Sequence, residues 1–180
     1  MDKRKLLRRF LIKAVIFYFG WTALFHGYIR PSGYINNFLT LTVANGTKIG
    51  GQLLGYDAFV TSEAEKNSPE KIHATVYLNN EPAVLVADAC NGLELFALFV
   101  GFIVCFPGAV LPKIIFSIGG TLLLFLANII REIALSFNYL YFRSSFDFNH
   151  KYTYAIAVYA IVFLIWRYWL NNYSVLGKKQ

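Results

Sequence analysis

The sequence predicts an all-α integral membrane protein with about four transmembrane helices, an outer interfacial helix and a small extracytoplasmic β-hairpin. Of its 180 residues, 57% are hydrophobic and only 15% are charged, whereas a soluble domain carries about 25% charged residues. Four apolar runs approach the roughly 20 residues that a membrane-crossing helix requires. Basic residues are concentrated near both ends of the chain. We therefore expect a single membrane domain that covers residues 1–180.

The net charge of +7 does not point to a nucleic-acid-binding protein, because the basic residues are unevenly placed. Six of the seventeen lie within residues 1–13, directly before the first apolar run. Basic residues in that position indicate which side of the membrane holds the N-terminus. We therefore interpret residues 1–13 as a basic cytoplasmic segment and residues 10–29 as a first, outward-running span. No small-residue cleavage site follows this span, so we expect it to be retained.

The middle of the chain is expected to lie outside the hydrocarbon core. Residues 31–33 break the first helix, and residues 34–60 mix apolar side chains with asparagines, a lysine and four glycines. This mixture favours a helix at the outer interface, and a fifth span is the alternative. Residues 61–90 begin as a polar, turn-rich loop. They continue as two strands with period-two alternation around a turn at residues 79–82, which predicts a hairpin.

Three further spans are predicted at residues 91–111, 113–131 and 152–170, with an outer segment at residues 132–151. The last of them carries one charged residue, Arg167, which can extend to the inner surface beside aromatic residues. Four spans place both termini inside, where the basic residues are concentrated, and place most acidic residues outside.

Under this topology, three residues with complementary chemistry reach the outer surface together. Cys90 begins the second span, Arg131 ends the third and His150 precedes the fourth. A thiol at a helix N-terminus has a lowered pKa, so Cys90 would be a nucleophile. Each residue also has a structural explanation: Cys90 as a small buried hydrophobe, Arg131 paired with Glu132, and His150 as a cap of the last helix.

Three motifs in this order resemble those of the exosortase and archaeosortase family. Residues 90–92 read Cys-Asn-Gly, residues 128–131 carry an Asn-x-x-Arg pattern, and a final histidine precedes the last span. The resemblance covers roughly residues 34–170. It implies a multi-span cysteine transpeptidase in which a thiol attacks the peptide, a histidine moves protons and an arginine holds the carbonyl or oxyanion. It gives catalytic roles to Cys90, Arg131 and His150 and supporting roles to Asn91, Gly92 and Asn128.

The resemblance also implies the substrates and the location. The partners would be secreted proteins that end in a short motif, a hydrophobic helix and a basic tail, together with membrane lipid and an acceptor that the sequence does not identify. The site would face the extracytoplasmic side of the inner membrane. We expect no metal, no cofactor and no nucleic acid, because no metal-ligand spacing or phosphate-binding loop occurs. Two alternatives are a non-catalytic transporter subunit or assembly factor and a membrane thiol oxidoreductase.

The oxidoreductase alternative lacks a second thiol within reach. On a shared helix, Cys105 would lie roughly 22 Å from Cys90 along the axis, and a disulfide needs Cα atoms within about 7 Å.

A stripe of small residues on the predicted second span suggests how a substrate helix is held. Ala97, Gly101 and Cys105 recur every four residues, and membrane helices approach closely along such stripes. We expect Cys90 to project near the same side of the helix, so a substrate helix docked there would reach the thiol. The alternative is internal packing against another span of the protein, with Gly119 and Gly120 as its partners.

Overall fold

The computed structural model describes residues 3–66 and 68–174. A three-stranded sheet is inserted between the second and third of the long helices. The helices are α1 (Lys3–Leu24), α2 (Tyr34–Leu53), α3 (Leu93–Cys105), α4 (Val110–Tyr141) and α5 (Tyr154–Tyr173). The strands are β1 (Ala58–Glu65), β2 (Ser68–Leu78) and β3 (Glu81–Val86).

Short helical segments extend two of the long helices. A π-helical turn (Phe25–Ile29) and a short helix (Arg30–Ser32) prolong α1 until Gly33, whose φ of 70° ends it at the predicted break. Three more short segments lead into α5: Arg143–Ser145, Phe146–Phe148 and Asn149–Thr153, the last of them π-helical.

The structure confirms a mostly helical fold with candidate membrane-spanning helices but does not confirm four spans. Within the described residues, three segments are long and apolar enough to cross a membrane: Arg4–Ser32, Val110–Tyr141 and Arg143–Tyr173. The predicted second span is α3, an apolar helix of 13 residues. Such a helix is about 20 Å long, shorter than the roughly 30 Å hydrocarbon core. Hydropathy alone did not reveal that this helix begins only at Leu93 and ends at Cys105.

Helix α4 differs most from the sequence-based expectation. Residues 132–151 were expected to be an outer segment, yet α4 continues beyond Arg131 to Tyr141. No glycine or proline follows Arg131 to end the helix, and its buried side chains continue through Leu135 and Asn138. At 32 residues, α4 is about 48 Å long. It is therefore longer than a hydrocarbon core is thick, and Arg131 lies inside a helix rather than at its end.

The part that was expected to be an extracytoplasmic hairpin is a three-stranded antiparallel sheet. The β2–β3 hairpin occurs as predicted, and its turn residues Asn79 and Asn80 have φ of 51° and 65°. These values suit the tight turns that join antiparallel strands. Strand β1 was missed because its polar residues resembled a loop and its start fell within residues 34–60. It pairs with β2 from Ala58 opposite Leu78 onward, which satisfies its backbone groups.

The two larger hydrophobic clusters among the described residues position the site, and α4 contributes to both. One joins the sheet to α2 and α4 and consists of Val43, Ala44, Ala74, Val76, Val84, Val86, Cys90 and Leu135. The other joins α3, α4 and α5, with Phe99, Leu124 and Trp169 among its fully buried members. The turn from β3 into α3 carries Cys90, which belongs to the first cluster, and α3 itself belongs to the second.

Candidate active site

Cys90 lies in a short 3₁₀ turn, Asp88–Cys90, between β3 and α3. Its backbone N–H donates to the Ala87 carbonyl at 2.8 Å, and the residue is 8% exposed. Since α3 begins at Leu93, Cys90 precedes the helix instead of opening it. The sequence placed Cys90 at the start of the second span, and in the structure the helix of that span begins three residues later.

Asn91 and Gly92 shape the entry into α3. Asn91 Oδ1 accepts from the Leu93 N–H at 2.9 Å, and Asn91 Nδ2 donates to Asn36 Oδ1 of α2 at 3.1 Å. Gly92 has φ of 87°, and a Cβ atom there would lie 2.8 Å from the Phe96 ring. A residue with a side chain would be strained at this position for both reasons. These contacts fix the turn that presents the thiol.

Asn128 and Arg131 lie one turn apart on α4, on the side that faces this turn. Asn128 Nδ2 donates to the Cys90 carbonyl at 2.8 Å, while its Oδ1 accepts from Arg131 Nη1 at 3.0 Å. One amide therefore connects the backbone of Cys90 to the guanidinium, and Asn128 is fully buried. The Asn-x-x-Arg spacing produces this geometry because residues three apart share a helix face.

His150 reaches the thiol from the π-helical segment before α5. Its Nε2 lies 3.8 Å from Cys90 Sγ, and its ring stacks on Phe146 with an interplanar angle of 2°. The structure thus brings Cys90, Arg131 and His150 together although they come from three separate parts of the chain.

These side chains surround a cavity of about 280 Å³. Its polar lining residues are Asp88, Cys90, Glu94, Asn128, Arg131, His150 and Tyr159. The sequence analysis did not select Asp88, Glu94 or Tyr159. The two carboxylates were within reach of a sequence argument, since both lie within four residues of Cys90. Nothing in the sequence marks Tyr159 among the many aromatic residues of its span.

The surroundings of Cys90 raise the pKa of its thiol. Burial is the main cause and the negative charge of Glu132 adds to it, while the Arg131 guanidinium acts in the opposite direction. The lowered pKa that was expected from a helix N-terminus is therefore wrong, because Cys90 is buried and precedes α3. A thiol with a raised pKa is protonated at neutral pH, so it needs a base before it can attack.

In residues 3–66 and 68–174, no group of three or more His, Cys, Asp or Glu side chains is placed to hold a metal ion.

Gly101 of the small-residue stripe on α3 packs against Phe17 of α1, so α1 is its internal neighbour. Gly120, one of the expected internal partners, instead contacts Phe99 of α3.

A second cavity, a groove of about 490 Å³, runs between α1, α3 and α5. Gly101 and Cys105 line it, together with Leu98 and several aromatic side chains; Ala97 is not among its lining residues. Glu94, Leu95 and Tyr159 line both this groove and the cavity around Cys90. The groove and the candidate active site therefore adjoin at these three residues.

Comparison with known proteins identifies the family. A family model described as transmembrane exosortase matches residues 4–168. No curated protein and no solved structure matches the chain. The matched region includes the thiol turn, the Asn-x-x-Arg motif of α4 and the histidine before α5. The chain therefore belongs to the transmembrane exosortase family.

Proposed function

We propose that this protein is a membrane cysteine protease or transpeptidase that cleaves the C-terminal sorting signal of secreted proteins. The observation that carries the proposal is the approach of His150 Nε2 to Cys90 Sγ at 3.8 Å, beside a guanidinium that lines the same cavity. A buried thiol, a base within reach and a fixed cation are the three groups that acyl transfer requires. Membership of the exosortase family supports the assignment to peptide substrates.

The reaction would proceed through a thioester. His150 takes the thiol proton as Sγ attacks the carbonyl carbon of the scissile peptide, and the carbonyl oxygen becomes negatively charged. When the C–N bond breaks, His150 returns the proton to the leaving amine. Water or an acceptor nucleophile then attacks the thioester carbon and loses a proton to His150. The C–S bond breaks, and the departing sulfur takes the proton from His150, which restores the thiol. The two outcomes are hydrolysis and transfer.

Arg131 would stabilise the charge that develops on the carbonyl oxygen. A guanidinium has five N–H donors, and two of its nitrogens are already held by Asn128 and Glu132. This arrangement fixes the plane of the group before a substrate arrives. Preorganised donors of this kind are effective because they need no reorientation in the transition state.

Arg131→Lys is expected to reduce processing by about 10²-fold or more, because lysine keeps the charge but not the planar fork. The measurement is the cleavage rate of a co-expressed secreted protein that carries the motif, helix and basic tail. The matched control is Arg143→Lys, since Arg143 also holds a side-chain oxygen, that of Tyr139 at 2.6 Å, but lies outside the cavity. Equal rates in the two variants would contradict a role for Arg131 in the reaction.

We infer that the site faces the extracytoplasmic side of the inner membrane, where secreted proteins emerge. A membrane-impermeant thiol reagent applied to intact spheroplasts is then expected to label a variant that retains Cys90 alone. A variant that retains Cys105 alone is expected to be labelled only after permeabilisation. The two single-cysteine variants are Cys105→Ala and Cys90→Ala. Labelling of Cys90 only in permeabilised cells would place the site on the cytoplasmic side.

The groove between α1, α3 and α5 would hold the hydrophobic helix of the substrate. It is lined mainly by apolar and aromatic side chains and meets the active-site cavity at Glu94, Leu95 and Tyr159. A peptide that enters the cavity with its scissile bond could continue into the groove with the apolar residues that follow. Gly101 and Cys105 of the small-residue stripe would then form part of the groove floor.

Filling the groove is expected to separate substrate binding from thiol reactivity. Leu98→Trp should lower processing at least about tenfold because a large side chain occupies the space of the substrate, while a small alkylating reagent should still modify Cys90. Val104→Trp is the matched control: it is on the same helix, 49% exposed against 47% for Leu98, and does not line the groove. Wild-type processing in Leu98→Trp would exclude the groove as the docking surface.

A further inference from the structure

A buried carboxylate lies directly behind the candidate active site. Glu132 is fully buried, and neither of its carboxylate oxygens has a hydrogen-bond partner among the described residues. Within residues 3–66 and 68–174, its one ion pair is with Arg131, whose Nη2 lies 3.2 Å from Glu132 Oε1. Glu132 is not among the residues that line the cavity, so it does not meet a substrate directly.

Stability alone does not explain this arrangement. Burying a carboxylate is costly, and replacing a buried ion pair by apolar residues is often neutral or stabilising. Near a membrane, ionisable residues that stay buried are typically retained for a function. Glu132 contributes to neither hydrophobic cluster, although its helix neighbour Leu135 does. An explanation therefore has to come from what the carboxylate does to Arg131.

The contacts show how the guanidinium is held from two sides. Asn128 Oδ1 accepts from Nη1 at 3.0 Å, and Glu132 Oε1 lies 3.2 Å from Nη2. The same Asn128 side chain donates to the Cys90 carbonyl. The guanidinium is therefore clamped between an amide fixed to the thiol turn and a carboxylate buried in α4.

We propose that Glu132 is a positioning residue for Arg131: it fixes the guanidinium beside Cys90 and partly offsets its charge at the thiol. This inference rests on the proposed function only for the role of Arg131 in the reaction. The effect on the thiol follows from charge, because the Glu132 carboxylate disfavours the thiolate and the Arg131 guanidinium favours it. Glu132 thus adds to the effect of burial, which is the main reason that Cys90 stays protonated, and it keeps the guanidinium donors aligned.

The charged and titratable groups around Cys90 define what a pH experiment reports. Arg131 and Glu132 come from α4, His150 from the segment before α5, Tyr159 from α5, Glu94 from α3 and Asp88 from the thiol turn itself. The proposed clamp involves only Arg131 and Glu132, so a Glu132 variant leaves the other groups in place. The alkylation of Cys90 as a function of pH measures the thiolate directly and requires no substrate.

The test uses the full-length protein in detergent, with Cys105→Ala in every variant so that Cys90 is the one thiol. Glu132→Gln keeps the shape but removes the charge, and we expect the midpoint of iodoacetamide alkylation to move down by about half a pH unit or more. Glu132→Asp keeps the charge but withdraws the carboxylate by one methylene. The alkylation midpoint of Glu132→Asp should stay within about 0.3 pH units of the parent protein. Cleavage of the co-expressed substrate should fall at least about tenfold, because the carboxylate no longer holds Arg131 Nη2.

Glu81→Gln is the matched control, since Glu81 is exposed at the start of β3 and far from these contacts in sequence. It should leave both the alkylation midpoint and processing unchanged. An alkylation midpoint in Glu132→Gln that coincides with the parent overturns the proposal, and so does wild-type processing in Glu132→Asp. If Glu132→Gln does not accumulate, the aspartate variant decides. Failure of the proposed function is separate, because it would appear as processing that survives loss of Cys90.

Discussion

Replacing Cys90 by alanine is expected to abolish processing of a signal-bearing substrate, with a loss of at least about 10⁴-fold. The thiol forms the covalent intermediate in the proposed reaction. Removal of a nucleophile alone lowers kcat about as much as removal of all the catalytic residues together. No other thiol can replace it, because Cys105 lies at the opposite end of α3. The measurement is the mass of the substrate protein. In cells that carry Cys90→Ala, this mass should still include the C-terminal helix and basic tail.

Cys105→Ala is the comparison for this experiment, because it removes a buried free thiol of the same protein and leaves the candidate nucleophile in place. Processing should stay measurable in this variant. A shortened substrate in cells that carry only Cys90→Ala would contradict the enzyme assignment itself. It would favour the alternative of a non-catalytic transporter subunit or assembly factor.

His150→Gln is expected to lower processing by about 10²- to 10⁴-fold near neutral pH, the range that a general base contributes. The cause is the raised pKa of the Cys90 thiol, which leaves little thiolate unless a base removes the proton. As pH rises toward that pKa, more thiolate forms without help. The ratio of wild-type to variant rates should therefore shrink with increasing pH, which a rate profile between pH 7 and about pH 9.5 would measure.

His73→Gln is the matched control for the histidine experiment. His73 lies on β2 and does not line the cavity around Cys90, so its variant should follow the wild-type profile. A defect of His150→Gln that has the same size at every pH would argue against proton transfer. It would instead indicate that the imidazole packs against Phe146 and shapes the site.

The sequence was informative about the fold where a signal depends on local composition. Long uncharged runs predict membrane helices because the side chains around such a helix face lipid or other apolar groups. Alternation between residues 72 and 78 predicts a strand because one face of the strand is buried and the other is not. Strand β1 was not predictable in this way, since its polar residues are acceptable only once β2 pairs with them. The length of α4 was missed for a similar reason: the residues after Arg131 pack on the sheet, and the sheet had not been anticipated there.

The candidate site shows the same division between local and non-local information. The three motif residues were selected by their chemistry and by family resemblance, and the structure places them around one cavity. The electrostatics were not predictable, because the burial of Cys90 depends on α2, the sheet and α4 together. Glu132 was read only as a possible partner of Arg131. Its complete burial, which gives that pairing its significance, is a property of the packed structure.

The length of α4 has a mechanical consequence. The helix contributes Leu124 to the cluster among the helices and Leu135 to the cluster under the sheet, and Asn128 and Arg131 lie between them. Because one continuous helix belongs to both clusters, a tilt or rotation of either end is transmitted to the residues between. The positions of Asn128 and Arg131 therefore depend on the packing at both ends of α4. A substitution that loosens the sheet from Leu135 is expected to displace the guanidinium as well, although the sheet itself does not contact the cavity.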